Sequence, residues 1–207
     1  MQIIPTSHFE GLPEDMLLAC SPIRSDLSTS VLSAPEKTEY VQFRKQSRKD
    51  EFLTSRKLLN DMIIHLGLDH KSIILEKEEG GKPFLLIEDV RAFISFSHSK
   101  NMVWCAVSQE SDIGLDVEPA DRRISSGMLK RILHAKETGI EEEMDTIQIW
   151  TIKEAAVKKL GTGLRMNLNL VEIVRDHNEL IEIKINDDYC FQICSFKQLD
   201  HQISIAY

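Results

Sequence analysis

A long amphipathic helix followed by a run of strands occurs twice in this 207-residue chain, and that doubled order restricts the fold more than any other feature. The first copy starts with a helix over about 47 to 66 and closes on the strand Met102–Ser108. The second starts with a helix over about 145 to 160 and closes on the strand Gln202–Tyr207. Ala106 and Ala206 lie about a hundred positions apart, as Arg56 and Glu154 nearly do, so the chain reads as two similar halves related by a pseudo-twofold axis. No Pro/Gly-rich tract divides them; the turn Gln109–Asp112 sets the division at 1–108 and 109–207. The expected fold class is α+β, a pseudodimer of two similar α/β halves.

Local patterning fills in each half. Phe52, Leu59, Ile63 and Leu66 recur at helical spacing, and Gly67 supplies the stop. Arg56 falls inside that apolar stripe, and an inward guanidinium requires an anionic partner. The second half opens on Ile113, Leu115 and Val117 alternating with Gly114, Asp116 and Glu118, a strand with one apolar and one carboxylate face. A helical stretch over about 126 to 138 and the acidic segment Glu137–Asp145 follow. Strands are then expected over about 168–175, 179–185, 189–196 and 202–207, with turns at Asp176-His-Asn and Asn186-Asp-Asp.

Charge and composition exclude several functions. A net charge of −8, from 33 acidic against 25 basic residues, argues against holding a nucleic-acid backbone. Lys37, Arg44, Lys45, Arg48, Lys49 and Arg56 nevertheless form a basic stretch, and a basic pocket in an acidic protein suits a small polyanion. No basic-then-apolar leader opens the sequence and no apolar run approaches the ~18 residues that span a bilayer, so a soluble, cytoplasmic protein without membrane contact is expected. Cys20, Cys105, Cys190 and Cys194 lack CxxC spacing and read as reduced core thiols.

Strand alternation puts Asp116 and Glu118 on one face, close enough to share a cation, and hard oxygen ligands imply Mg²⁺ or Mn²⁺. Taken alone, the pair also fits a strand edge whose acids face water. Glu154 supplies a third carboxylate from the sector holding Ile147, Trp150 and Val157; the competing reading pairs it with Lys158 one turn on. His98, between Ser97 and Ser99 at a strand end, and Lys82, in the turn Gly80-Gly-Lys-Pro83, are candidate anion or base contacts.

In order along the chain, Gly81-Lys82-Pro83, Ser97-His98-Ser99, Ile113 to Glu118, Trp150-Thr-Ile-Lys-Glu-Ala-Ala-Val-Lys158 and Gly161-Thr-Gly-Leu164 resemble the 4′-phosphopantetheinyl transferases of the surfactin-synthetase-activating (Sfp-like) type. The resemblance implies a pseudodimer with coenzyme A between its halves. It also implies Mg-dependent transfer of 4′-phosphopantetheine to a serine of an apo acyl or peptidyl carrier protein, releasing 3′,5′-ADP. By position, Asp116, Glu118 and Glu154 fall on the metal ligands and Lys158 on a pyrophosphate contact, with Lys153 or His98 adding positive charge. Ser97, His98 and Arg56 fall on contacts to the adenosine bisphosphate, Gly81 and Lys82 on the adenine site, and Lys37 on the 3′-phosphate; Glu137 lies near a further acidic position. Asp116, Glu154 and Lys158 are the expected catalytic residues. The family's second lysine after Lys37 is replaced by Thr38-Glu-Tyr40, leaving Arg44 or Lys45 as substitutes. A monomer is expected, since two halves in one chain could complete the site without a second subunit, and the carrier is expected near Ser125–Leu133. A metal-dependent nuclease and a non-catalytic coenzyme A-binding module are the alternatives.

Overall fold

Short alternating segments separated by turns favour antiparallel sheets, and two of them form. The computed structural model describes residues 1–69, 73–175, 181–186 and 188–207. In the first sheet, β1 (Gln2–Ile4), β2 (Leu17–Pro22), β3 (Ile73–Lys77), β4 (Pro83–Ile87), β5 (Val90–Ser99) and β6 (Met102–Ser108) take the order β1-β2-β6-β5-β4-β3. In the second, β7 (Gly114–Pro119), β8 (Val171–Arg175), β9 (Ile181–Ile185), β10 (Tyr189–Gln198) and β11 (His201–Ala206) take the order β7-β11-β10-β9-β8. The helices are α1 (Ala34–Gln42), α2 (Gln46–His65), α3 (Ser126–Ile132), α4 (Ile140–Glu143) and α5 (Thr146–Leu160). With β1 set aside, the two connectivities coincide: an opening strand, a long helix, then a four-strand meander whose last strand returns beside the first.

Each long helix packs on its sheet's opening and closing strands, α2 on β2 and β6, α5 on β7 and β11. In α2, Leu58, Leu59, Met62 and Ile63 pack against Leu85, Ile94, Val103 and Cys105. The helix ends at Gly67, whose φ of +73° is one that glycine adopts freely, while the Leu68 N–H bonds back to the Ile63 carbonyl. In α5, Ile149, Ile152, Ala155 and Ala156 are sealed in the second core. A third core lies between the sheets, where Leu18, Cys20 and Trp104 meet Ile113, Leu115, Val117, Ile203 and Ile205. Fully burying an aliphatic side chain of this size stabilises by about 1.5–3 kcal/mol, so the interface between sheets is a core in its own right.

Two further devices lock the halves together. The outer edge of β7 is satisfied by hydroxyls of β5: Leu115 N donates to Ser95 Oγ at 2.9 Å and Val117 N to Ser97 Oγ at 3.1 Å. The next step of this ladder would bring Ser99 to Pro119, which has no N–H, and Ser99 Oγ is buried without a hydrogen-bond partner among the described residues. On the other side of β7, a Cβ on Gly114 would lie 2.1 Å from the Ala155 carbonyl oxygen and 2.4 Å from Lys159 N, so only glycine permits α5 to sit this close.

Some expectations need correction. The helix expected over about 126–138 stops at Ile132, because the chain then turns so that Glu137 can accept from His134 N at 2.7 Å. The strand expected from about 168 begins with a 3-10 turn, Leu168–Leu170, before β8. Residues 176–180, including the Asp176-His-Asn turn, lie outside the described residues, as does Asp187. All four cysteines are free, but Cys190 is exposed on β10 rather than in a core.

Candidate active site

The site is assembled by the close seat of α5 on β7. The apolar side of β7 (Ile113, Leu115, Val117) faces the core between the sheets, so its carboxylate side turns toward α5. Lys158, one turn beyond Glu154, crosses to β7 and donates to Asp116 Oδ1 at 2.8 Å, Leu115 O at 2.8 Å and Ser97 Oγ at 3.2 Å. It therefore joins α5, β7 and β5, rather than pairing with Glu154 along the helix. Ser97 also donates to Asp116 Oδ1 at 3.4 Å.

Asp116 is 6 % exposed, and its second oxygen, Oδ2, is buried without any hydrogen-bond partner among the described residues. A buried carboxylate oxygen left unmatched is costly unless a cation takes it. Glu154 is half-buried, and no described residue hydrogen-bonds to it. Burial, and next the negative charge of Asp116, push the carboxyl groups of both Glu118 and Glu154 above the usual range. The three acids thus share one field. Glu118 is bonded by Arg122, whose guanidinium lies 5.1 Å from the centroid of the Trp150 ring. Two cations against three carboxylates leave net negative charge for a further cation. In the conformation described, no three Asp, Glu, His or Cys side chains are gathered into a ready metal cage among the described residues, since Lys158 and Arg122 neutralise the strand pair instead. The orphaned Asp116 Oδ2 and the all-oxygen donor set nonetheless fit a hard divalent ion.

His98 stands beside this cluster with its ring 56 % exposed and its Nε2 3.8 Å from Glu51. Partial burial holds it below the usual histidine range; the positive charges of Arg48 and Lys158 act in the same direction, while Glu51 opposes them. A cavity of about 260 Å³ adjoins the site, lined by Gly81, Lys82 and Phe96 from the first half and Lys158, Gly161 and Gly163 from the second. The Lys82 stem lines it, but its ammonium turns to Asp112 and the Lys159 carbonyl, clamping the Gly80–Pro83 turn to the end of α5. Arg165 strengthens the clamp by donating to Gly80 O at 2.7 Å.

Three residues stand apart. Lys153 is a correction: its side chain is fully buried on the far side of α5, donating to Glu137 at 2.8–2.9 Å and to the Val171 carbonyl, so it cannot meet a pyrophosphate. Its ammonium is held in place by Glu137, which also accepts from Ile173 N at 2.7 Å. Arg56 is closed by Glu36 at 2.5 Å and stacked on Phe52 and Phe96 at 4.2 and 5.2 Å, its partner being a carboxylate of α1. Lys37 is exposed on α1. A larger cavity, about 950 Å³, lies between α1, α2 and β3 and holds Arg56 and Glu36 but none of the three acids. Six of its bordering charges pair within the protein, Arg56 with Glu36, Lys57 with Asp61 and Lys77 with Glu39, and the smaller cavity is the one next to Lys158. Sequence reasoning missed Arg122, Asp112 and the serine ladder; the alternation of Ser95, Ser97 and Ser99 was the available signal.

Residues 112–207 match the family described as the 4′-phosphopantetheinyl transferase superfamily, a span that includes β7 and α5. Over that span, the C-terminal part of the chain, it is similar to that superfamily. It is 27 % identical over 144 residues to the 4′-phosphopantetheinyl transferase gsp of Aneurinibacillus migulanus, a match covering 63 % of this chain and 59 % of that protein. It is 28 % identical over 170 residues to 4′-phosphopantetheinyl transferase Sfp of Bacillus subtilis, covering 75 % and 72 %. A 4′-phosphopantetheinyl transferase of Bacillus subtilis is 29 % identical over 153 residues, covering 66 % of each chain. Among the described residues no helix is long and apolar enough to cross a membrane.

Proposed function

We propose that this chain transfers 4′-phosphopantetheine from coenzyme A to a serine hydroxyl of an apo acyl or peptidyl carrier protein, releasing 3′,5′-ADP. The observation that carries this reading is Asp116, buried with one oxygen that has no partner among the described residues, beside two acids of raised pKa and one bridging lysine. Asp116, Glu118 and Glu154 would hold Mg²⁺ or Mn²⁺, which when bound neutralises charge on the pyrophosphate oxygens. Lys158, already fixed by Leu115 O and Ser97 Oγ, directs its ammonium at the same charge. His98, near Arg48 and Lys158, offers a ring N–H to a second anionic group of the substrate and adds charge only at lower pH. The Glu154 carboxylate accepts the proton of the incoming serine; the serine Oγ forms the new bond to the phosphorus bearing pantetheine, and the bond from that phosphorus to the bridging oxygen breaks, the oxygen leaving with 3′,5′-ADP. The nucleophile comes from the partner, so the protein supplies position and charge.

Shared connectivity supports a pseudo-twofold relation between residues 1–108 and 109–207, with the substrate between them. One chain supplies both walls, so a monomer in the cytoplasm suffices. The exposed Met128 of α3 supports Ser125–Leu133 as the acceptor surface. Incubating the protein with coenzyme A, Mg²⁺ and an apo carrier tests the reading by mass spectrometry. The carrier gains the mass of phosphopantetheine; an unmodified carrier would refute it.

A further inference from the structure

The turn after β7 places a cation where the metal reading has none. Arg122 N donates to Pro119 O at 3.0 Å and Ala120 N to Asp200 O at 2.9 Å, folding the chain back so that the Arg122 guanidinium reaches Glu118 Oε1. The same guanidinium lies over Trp150, one helical turn before Glu154 on α5. It therefore bridges the strand and the helix that carry the three acids, and its charge acts on both Glu118 and Glu154. Its side chain is 35 % exposed, and a solvent-accessible pair of this kind is weak enough to be exchanged. The aromatic ring gives the guanidinium a second support that does not depend on Glu118.

We propose that Arg122 is a placeholder cation: it occupies Glu118 in the empty site, yields that carboxylate to the divalent ion, and is thereby released to the anionic substrate. This rests on the metal-site reading above. Without Arg122 the three acids would lack one of the two cations that the structure sets against them, the other being Lys158. With it, metal entry must break the Arg122–Glu118 pair, which weakens metal binding in the absence of substrate. A released guanidinium over Trp150 has free N–H donors in a bidentate fork suited to phosphate oxygens. Metal and coenzyme A are then coupled through one side chain, and the coupling must be reciprocal.

Mn²⁺ binding, measured on the full chain from the paramagnetic signal of the free ion with and without coenzyme A, tests this without reference to turnover. The wild type is expected to bind Mn²⁺ weakly alone and at least about 10-fold more tightly with coenzyme A. Arg122→Ala should bind Mn²⁺ about 3-fold or more tightly than wild type without coenzyme A, with a correspondingly smaller gain on adding it. Arg122→Lys, retaining the charge without the fork, should fall between them. Circular dichroism confirms that each variant is folded. Unchanged or weaker Mn²⁺ binding by Arg122→Ala without coenzyme A would overturn the role of Arg122 while leaving the carboxylate site standing. Absence of Mn²⁺ binding by the wild type even with coenzyme A would overturn the carboxylate site itself, and this role with it.

Discussion

Helices α2 and α5 occupy equivalent places in the two sheets, yet one is closed and the other open. Each follows its sheet's opening strand and packs on that strand and the returning one. On α2 the inward polar residue is Arg56, sealed by Glu36, Ser55 and two aromatic rings. Glu36 itself is shared, since it accepts from Ser33 N and Ser33 Oγ at the start of α1. On α5 the residue at nearly the corresponding place is Glu154, with no hydrogen-bond donor among the described residues. The strands differ as well: β7 carries Gly114 under its helix, whereas β2 presents Leu18, Ala19 and Cys20. The same connectivity thus yields one wall where Arg56 is answered by Glu36, and another where the Glu154 carboxylate has no hydrogen-bond donor among the described residues.

The sharpest way to break the contrast is to remove the buried acid beside Glu154, whose Oδ2 has no hydrogen-bond partner among the described residues. Asp116→Ala should reduce phosphopantetheine transfer by about 10³-fold or more while leaving the far-ultraviolet circular dichroism unchanged. Turnover near the wild-type rate would place the chemistry elsewhere. Next in size is the buried pair on the rear of α5. Lys153→Ala leaves Glu137 buried without its cation and should cost about 3–5 kcal/mol of unfolding free energy in a denaturant titration. A loss under about 1 kcal/mol would show that Glu137 is neutralised by another route.

Gly114→Ala sharpens the comparison of the strands. Its methyl group overlaps the backbone of α5, so stability should fall by about 1–3 kcal/mol. Metal affinity should fall with it, because Glu154 is pushed from β7; thermal melts with and without Mn²⁺ read both effects. The smallest effect concerns His98 on the first-half side of the cleft. With its pKa lowered by burial, and further by Arg48 and Lys158 against Glu51 and Asp116, the ring is neutral at neutral pH and gains its proton only below the usual histidine range. Affinity for 3′,5′-ADP, relative to His98→Gln, should therefore rise as pH falls through that range, by about 3- to 10-fold. A wild-type to variant ratio independent of pH would remove His98 from the anion site.

Much of the second half was legible because its signals are periodic. The alternation from Ile113 to Glu118 defines both faces of β7, and the spacing of Trp150, Glu154 and Lys158 defines one side of α5. The first half was legible in α2 and β6 but not in β1, β2 or β3, short segments whose pairing depends on distant partners. Lys153 was misread because motif position does not reveal helix side: it lies one residue before Glu154, about 100° around the helix, and so enters the core. Arg56 was legible as an inward cation and Lys82 as a cation of a turn, but their present partners, Glu36 and Asp112, lie 20 and 30 residues away in the chain.

The account rests on three acids from β7 and α5 taking one divalent ion. A crystal structure of the protein with Mn²⁺ and coenzyme A, with the ion located by anomalous scattering, tests it most directly. The account predicts a single manganese within about 2.0–2.4 Å of oxygens from Asp116, Glu118 and Glu154. A manganese bound elsewhere, or Glu154 turned out to solvent with the ion in place, would contradict it.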